Sequence, residues 1–130
     1  MRDRLTDALK GLDADYVEIR FEDSHHTSIV YKGRSLEEMS RARNSGGSIR
    51  ALVRGSWGFV SFDRLDGLAD RAALAVQEAR LAGDESFTLS PTEPVVDTVT
   101  AQIKNDASAI PLAVKKGLLD EYNDVILSSP

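Results

Sequence analysis

The chain has 130 residues and a mass of 14.2 kDa, which suits one domain, or one domain with part of a second. Hydrophobic residues make up 42 % and charged residues 28 %, so disordered and fibrous classes are excluded. The absence of cysteine excludes disulfide frameworks, thiolate metal sites and cysteine catalysis, and it is compatible with a reducing compartment. A net charge of -5 disfavours binding to the phosphates of nucleic acids.

Neither a membrane segment nor a secretion signal is predicted. No apolar run approaches the roughly 20 residues that cross a bilayer. The amphipathic N-terminus is charged throughout and lacks the apolar centre of a secretory signal. We therefore expect a cytoplasmic protein with neither a membrane nor a nucleic acid as its partner.

Apolar residues at helical spacing predict two helices in the first two thirds of the chain. Residues 3–12 form a short amphipathic segment with Gly11 near its end. Residues 65–81 form the stronger helix, with Asp63 as a candidate N-cap and Gly83 as a stop signal. Its narrow, alanine-rich stripe predicts close packing against a sheet and consists of Leu68, Ala72, Ala75, Val76 and Ala79.

The last third of the chain changes character. Residues 84–109 contain two prolines and small polar residues, which predict a connector that is extended in part. Pro111 then begins a helix that runs to about Ile126, because proline is well suited to the first helical turn.

Short alternating or β-branched runs predict an antiparallel sheet of about five strands. The alternation is clearest after Tyr16, where apolar and charged side chains fall on opposite faces. The predicted strands cover residues 16–23, 27–32, 48–53 and 56–62, and residues 35–44 form a fifth if they are a strand and not a helix. The expected fold class is therefore α+β, with helices packed on one face of the sheet.

Two segments of the predicted sheet carry competing local signals. Ser35 and Glu38 form a capping box that predicts a helix over residues 35–44, whereas strand-like runs on both sides favour a strand. Arg54 and Gly55 separate two apolar runs and predict a tight hairpin turn. Arg54 is unfavourable there if the turn needs positive φ at both central residues.

The residues form no recognisable catalytic or metal-binding motif. His25 and His26 are adjacent, whereas a helical zinc site needs an i, i+4 pair, so an exposed strand end or turn is favoured. The acidic pairs at residues 22–23 and 37–38 fit a charged surface better than acid–base partners. We therefore assign no catalytic residue and no metal ligand in this chain.

Basic side chains outnumber acidic ones between Lys32 and Arg54, although the protein as a whole is acidic. Arg41, Arg43 and Arg50 are the candidates for contact with an acidic peptide or protein partner, because arginine binds carboxylates through paired hydrogen bonds. A sheet face that contacts only solvent would carry the same excess of basic residues, and we favour that interpretation.

Trp57 is the single tryptophan and has glycines on both sides of it in sequence. It could be an aromatic residue for binding. Packing against a helix in the core is favoured, because Trp57 and Phe59 share a face of the predicted strand.

Three segments carry a family resemblance. They are Ala14-Asp15-Tyr16 with Glu18-Ile19-Arg20, then Gly47, Ile49-Arg50, Leu52, Gly55 and Trp57-Gly58-Phe59, and then the alanine-rich helix over residues 69–79. In this order they resemble the N-terminal domain of the TldD/PmbA family, the modulator-of-gyrase peptidases, and residues 111–125 are similar to the helix that opens the next region. Ser48-Ile49 departs from the usual glycine-valine step, and Arg54 from the usual aspartate or asparagine.

The resemblance implies that residues 35–44 form a strand and that the chain is part of a metallopeptidase of several hundred residues. In such a parent, a zinc-activated water attacks a peptide carbonyl, with the glutamate of an H-E-x-x-x-H motif as base. That motif lies beyond this sequence, and one branch of the family lacks it and acts as a partner subunit. Peptide substrates and homo- or heterodimers of family subunits are also implied.

We therefore expect residues 1–83 to be the N-terminal α+β domain, 84–109 a connector, and 110–130 the truncated start of the next region. The expected role is non-catalytic, to shape the substrate cavity or the subunit contact. The alternative is a stand-alone interaction module that binds a peptide or protein partner through its sheet.

Overall fold

The computed structural model describes residues 1–83 and 87–129. In chain order its elements are helix α1 (Arg2–Ala8), strands β1 (Tyr16–Lys32), β2 (Ser35–Val53) and β3 (Ser56–Phe62), helix α2 (Leu68–Leu81), a short 3-10 turn (Ala107–Ala109) and helix α3 (Leu112–Ser128). They group into two compact units. The first unit comprises Met1–His25 and Arg43–Pro91, and the second comprises His26–Ala42 and the residues from Thr92 onward.

The three strands form one antiparallel sheet in the order β1-β2-β3. β2 pairs with β3 from Gly47 opposite Phe62 to Val53 opposite Ser56. The α+β class is confirmed, but the expectation of about five strands is wrong. The breaks expected near residues 24–26 and 45–47 lie inside continuous strands, because hydrogen bonding to a neighbouring strand compensates for their weak strand propensity.

The structure also shows which of the two competing predictions for residues 35–44, helix or strand, is right. Residues 35–44 form a strand, as the family resemblance implied, and the capping box does not begin a helix. An isolated helical turn is unstable, whereas β2 gains backbone hydrogen bonds from β1.

Gly47 allows the close approach of neighbouring segments, since a Cβ atom there would collide with the carbonyl oxygen of Arg20 and the ring of Phe62.

Helix α2 packs against one face of the sheet through the predicted alanine stripe. Ala72, Ala75 and Ala79 are completely buried. Gly58 of β3 faces the helix so closely that a Cβ atom would overlap the Ala75 carbonyl oxygen and lie 2.6 Å from the Ala79 nitrogen. The sheet contributes Ile49, Ala51, Val53 and Phe62 to the same core. Small side chains at the contact let the two backbones approach closely.

The first two helices are shorter than predicted. α1 ends at Ala8, and Leu12 packs against the core from outside the helix. α2 begins at Leu68, and its N-cap is Gly67 with a φ of +63°, so Asp63 does not cap it. Apolar residues in the loops beside each helix extend the apparent helical period, because they too contact the core.

Helix α3 belongs to the second unit and confirms the helix predicted after Pro111. It contacts the turn between β1 and β2 within this unit. The Asn123 side chain donates to the Gly33 carbonyl oxygen at 2.9 Å, and the Tyr31 hydroxyl donates to the Asp120 carboxylate. These polar contacts join two segments that are far apart in sequence.

The described residues between α2 and α3 have little regular structure. Residues 87–106 form neither helix nor strand, and residues 84–86 of the predicted connector lie outside the described residues. The domain boundaries expected at residues 83 and 109 stay a prediction.

The turn between β2 and β3 holds Arg54 and Gly55 at φ values of +49° and +82°. Positive φ at both central residues is what a type I′ hairpin requires, so the predicted conflict at Arg54 is confirmed. The Arg54 backbone N–H donates to the Asp15 carboxylate at 2.7 Å, which helps to hold the turn in this conformation.

Replacing Gly58 with alanine should destabilise the first unit by about 3 kcal/mol or more, because the added methyl group meets helix backbone, which cannot move independently. Thermal unfolding followed by circular dichroism measures the change. Gly117→Ala is the matched control, since a Cβ atom there meets nothing within 4 Å and should stabilise helix α3 by about 0.5–1 kcal/mol. An unchanged melting temperature for Gly58→Ala would refute the close helix–sheet contact.

Replacing Arg54 with asparagine should raise the free energy of unfolding by about 0.5–1 kcal/mol, because asparagine tolerates positive φ better than arginine. Urea unfolding monitored by Trp57 fluorescence measures the change. Arg54→Ala removes the same side chain but keeps the backbone conflict, so it should give no gain. An equal gain from both variants would assign the effect to the arginine side chain and not to the turn.

Candidate functional site

The face of the sheet opposite α2 carries a cluster of aromatic and charged side chains, which we call the open face. It consists of Tyr16, Glu18 and Arg20 from β1, Arg50 from β2, and Trp57 and Phe59 from β3. Side chains alternate along a strand, and Gly58 faces α2, so Trp57 and Phe59 lie on the other side. The preference for Trp57 as a core residue is therefore wrong: the two aromatic residues share a face, but not the face that α2 covers.

Glu18 is the centre of the polar contacts on the open face. Its carboxylate accepts hydrogen bonds from Arg50 Nε at 2.7 Å and from the Tyr16 hydroxyl at 2.9 Å. Arg20 Nε lies 3.3 Å from the same carboxylate. The Glu18 side chain is only 18 % exposed, so it is a largely buried charge with its partners in place.

The hydrogen bonds of Glu18 also shift two pKa values, its own and that of Tyr16. Burial raises the pKa of Glu18, but hydrogen bonds from Arg50 and Tyr16 outweigh burial and hold that pKa below its ordinary value. The hydrogen bond to Glu18 raises the pKa of Tyr16. Glu18 therefore stays ionised and Tyr16 stays protonated at neutral pH, which suits a fixed structural network.

The aromatic part of the open face surrounds Trp57. The Arg50 guanidinium lies 4.8 Å from the centre of the indole ring, a cation–π distance. Tyr16 meets the indole edge-on at 6.1 Å between ring centres. Phe87, from the segment after α2, contacts it at 6.4 Å with the rings tilted by 52°. Such pairs orient aromatic side chains while leaving much of their surface in water.

The three arginines predicted as partner contacts each have a different partner within the protein. Arg50 is on the open face and binds Glu18, whereas Arg43 binds the Asp23 carboxylate through two nitrogens at 2.9 and 2.5 Å. Arg41 belongs to the second unit and donates to the Ile110 carbonyl oxygen at 3.0 Å. Contact of these arginines with a peptide or protein partner stays a prediction.

Sequence reasoning missed the central role of Glu18 and the exposure of Trp57. A signal for the open face was present, because Tyr16, Glu18 and Arg20 alternate with apolar residues along β1. What was not visible is which arginine meets the carboxylate, since Glu18 and Arg50 are 32 residues apart in sequence.

Within the described ranges 1–83 and 87–129, no group of three or more histidine, aspartate or glutamate side chains is placed to hold a metal ion. No helix in that part of the chain is long and apolar enough to cross a membrane. His25 is exposed, and its Nε2 atom lies 4.0 Å from the Asp23 carboxylate.

Acid should remove the stabilisation that Glu18 provides. Because its pKa is lowered in the folded protein, the contribution is complete above the pKa of an unfolded glutamate, about 4.3, and is lost as pH falls through the folded value. Urea unfolding should therefore show Glu18→Gln less stable than the wild type at pH 7 and nearly equal to it at pH 3.

Glu22→Gln is the control, because it removes an exposed carboxylate from the same strand and should change stability by less than about 0.5 kcal/mol at either pH. A difference between the wild type and Glu18→Gln that grows on acidification would contradict the assignment.

The family model described as PmbA/TldA metallopeptidase domain 1 matches residues 17–80. The chain is 39 % identical over 114 residues to Metalloprotease slr0863 of Synechocystis sp., an alignment that covers 87 % of this chain and 25 % of that protein. It is 32 % identical over 108 residues to a protein named metalloprotease from Methanothermobacter thermautotrophicus, covering 82 % of this chain and 23 % of the relative. No solved structure matches the chain.

The matched residues include β2, β3, all of β1 except Tyr16 and all of α2 except Leu81, and these elements build most of the core and of the open face. The chain spans about a quarter of the length of these curated relatives. Both the sequence motifs and the matched family model point to the same assignment: this chain belongs to the TldD/PmbA family and corresponds to its N-terminal domain.

Proposed function

We propose that this chain is the non-catalytic N-terminal domain of a TldD/PmbA-type metallopeptidase and that it shapes the substrate cavity or the contact between subunits. The observation that carries the proposal is the match of residues 17–80 to the first domain of that family. Relatives named metalloproteases, of whose length the aligned residues make up only 25 % and 23 %, support a parent protein in which other segments supply the metal site.

In this proposal, the parent protein binds zinc, which activates a water molecule for attack on a peptide carbonyl. The parent acts on peptides as a homo- or heterodimer of family subunits in the cytoplasm. The residues of this chain contact the substrate or the other subunit and supply no reacting group. The open face is the surface best suited to such contact, because aromatic and arginine side chains contribute strongly to protein interfaces.

A second candidate is a stand-alone module that binds a peptide or protein through its sheet. The observation that favours it is the strand order, which leaves β1 and β3 at the two edges of the sheet. An extended peptide can add to such an edge through backbone hydrogen bonds.

The gene separates the two candidates. We expect the reading frame to continue past codon 130 into an H-E-x-x-x-H motif, and a stop codon there would favour the stand-alone module. The product of the whole frame should hold one zinc ion in equilibrium dialysis and hydrolyse an unstructured peptide, whereas residues 1–130 alone should do neither. Tight zinc binding by residues 1–130 would refute the non-catalytic role.

A substitution in the whole-frame product tests the contact role directly. Phe59→Ala on the open face should raise KM for the peptide, or weaken subunit association, by about threefold or more without lowering the zinc content. Leu74→Ala is the matched control, because it truncates an exposed apolar side chain on α2, away from the open face. Equal effects of the two variants would count against the proposal.

A further inference from the structure

The open face is partly covered by the protein's own chain. Phe87 belongs to residues 87–106, which form neither helix nor strand, and its ring contacts Trp57. Phe87 is still 47 % exposed and Trp57 is 36 % exposed, so the contact is superficial. The Trp57 ring thus accepts an aromatic side chain from a peptide segment that lacks regular structure.

The charges that the open face presents to solvent are positive. The side chains of Arg20 and Arg50 are 74 % and 43 % exposed, whereas the side chain of Glu18, whose carboxylate contacts both, is 18 % exposed. Glu18 orients the two guanidinium groups but leaves some of their N–H donors free for another acceptor, since each group has five. A carboxylate is the acceptor that matches this geometry.

We propose that the open face binds a peptide segment of a second molecule that places an aromatic side chain on Trp57 and a carboxylate beside Arg20 and Arg50. Phe87 is the intramolecular competitor for the aromatic position. The inference goes beyond the proposed function, because it concerns only residues of the first unit and holds whether or not a catalytic segment follows in the parent protein.

The competition follows from the covalent connection of Phe87 to the sheet. A tethered side chain acts at a high effective concentration, so a weak contact with Trp57 suffices to oppose a free peptide. The apparent affinity for that peptide is reduced by the fraction of molecules in which Phe87 occupies the ring. Removing the Phe87 ring should therefore strengthen binding from solution.

Trp57 makes the test direct, because it is the single tryptophan and lies in the site. The probe is the acetylated and amidated tetrapeptide Asp-Glu-Ser-Phe, which has acidic residues before an aromatic one and repeats the sequence of residues 84–87. Titration of this peptide, monitored by Trp57 fluorescence, should show saturable binding to the Phe87→Ala chain that is about fivefold or more tighter than to the wild type.

Two protein variants and two altered peptides separate the parts of the proposal. Leu89→Ala truncates another exposed side chain of the same segment and should leave the affinity at the wild-type value. Arg20→Gln in the Phe87→Ala background should weaken binding and reduce its salt dependence. Peptides with alanine in place of phenylalanine, or lysine in place of both acidic residues, should bind at least about fivefold more weakly.

Each result bears on the proposal. Absence of saturable binding to Phe87→Ala up to millimolar peptide would overturn the site. Equal affinity of the wild type and Phe87→Ala would overturn the competitor role of Phe87. Equal binding of the lysine peptide would overturn the selectivity for carboxylates. Circular dichroism of every variant should match that of the wild type, because the substituted side chains are exposed.

Discussion

The close contact between Gly58 and helix α2 is the constraint on which the first unit depends. Ala75 and Ala79 approach the strand so closely that no side chain fits at residue 58. Because side chains alternate along β3, this contact determines the direction of its neighbours, and Trp57 and Phe59 must point away from the helix. The core and the open face are therefore two consequences of one helix–sheet contact.

The open face in turn depends on the largely buried carboxylate of Glu18, whose hydrogen-bonding partners reach the surface. Glu18 would be costly on this surface alone, but Arg50 and Tyr16 satisfy it through short hydrogen bonds. The same arginine lies over Trp57, so the polar network also orients the aromatic part of the surface. This arrangement resembles the centre of a protein interface, where aromatic residues and arginine combine.

The proposed contact role builds on the membership of this chain in the TldD/PmbA family. The chain covers about a quarter of relatives that are named metalloproteases. In a protein of that size, one domain can serve catalysis by positioning a substrate or a subunit without supplying a reacting group. The proposed role therefore rests on shape and charge on the sheet.

The sequence by itself determined the α+β class, the alanine-rich helix, the tight turn at Arg54 and the family, because each of these depends on residues close together in the chain. The predicted number of strands was wrong. β1 and β2 continue through residues whose sequence predicts breaks, because each strand pairs with a neighbouring strand there.

Only the tertiary structure decided which face of the sheet is covered, and hence the exposure of Trp57. It also decided that Arg50, and not Arg43, meets Glu18, across 32 residues of sequence. Local patterns specify which side chains share a face, but the side on which a helix packs depends on contacts between distant segments.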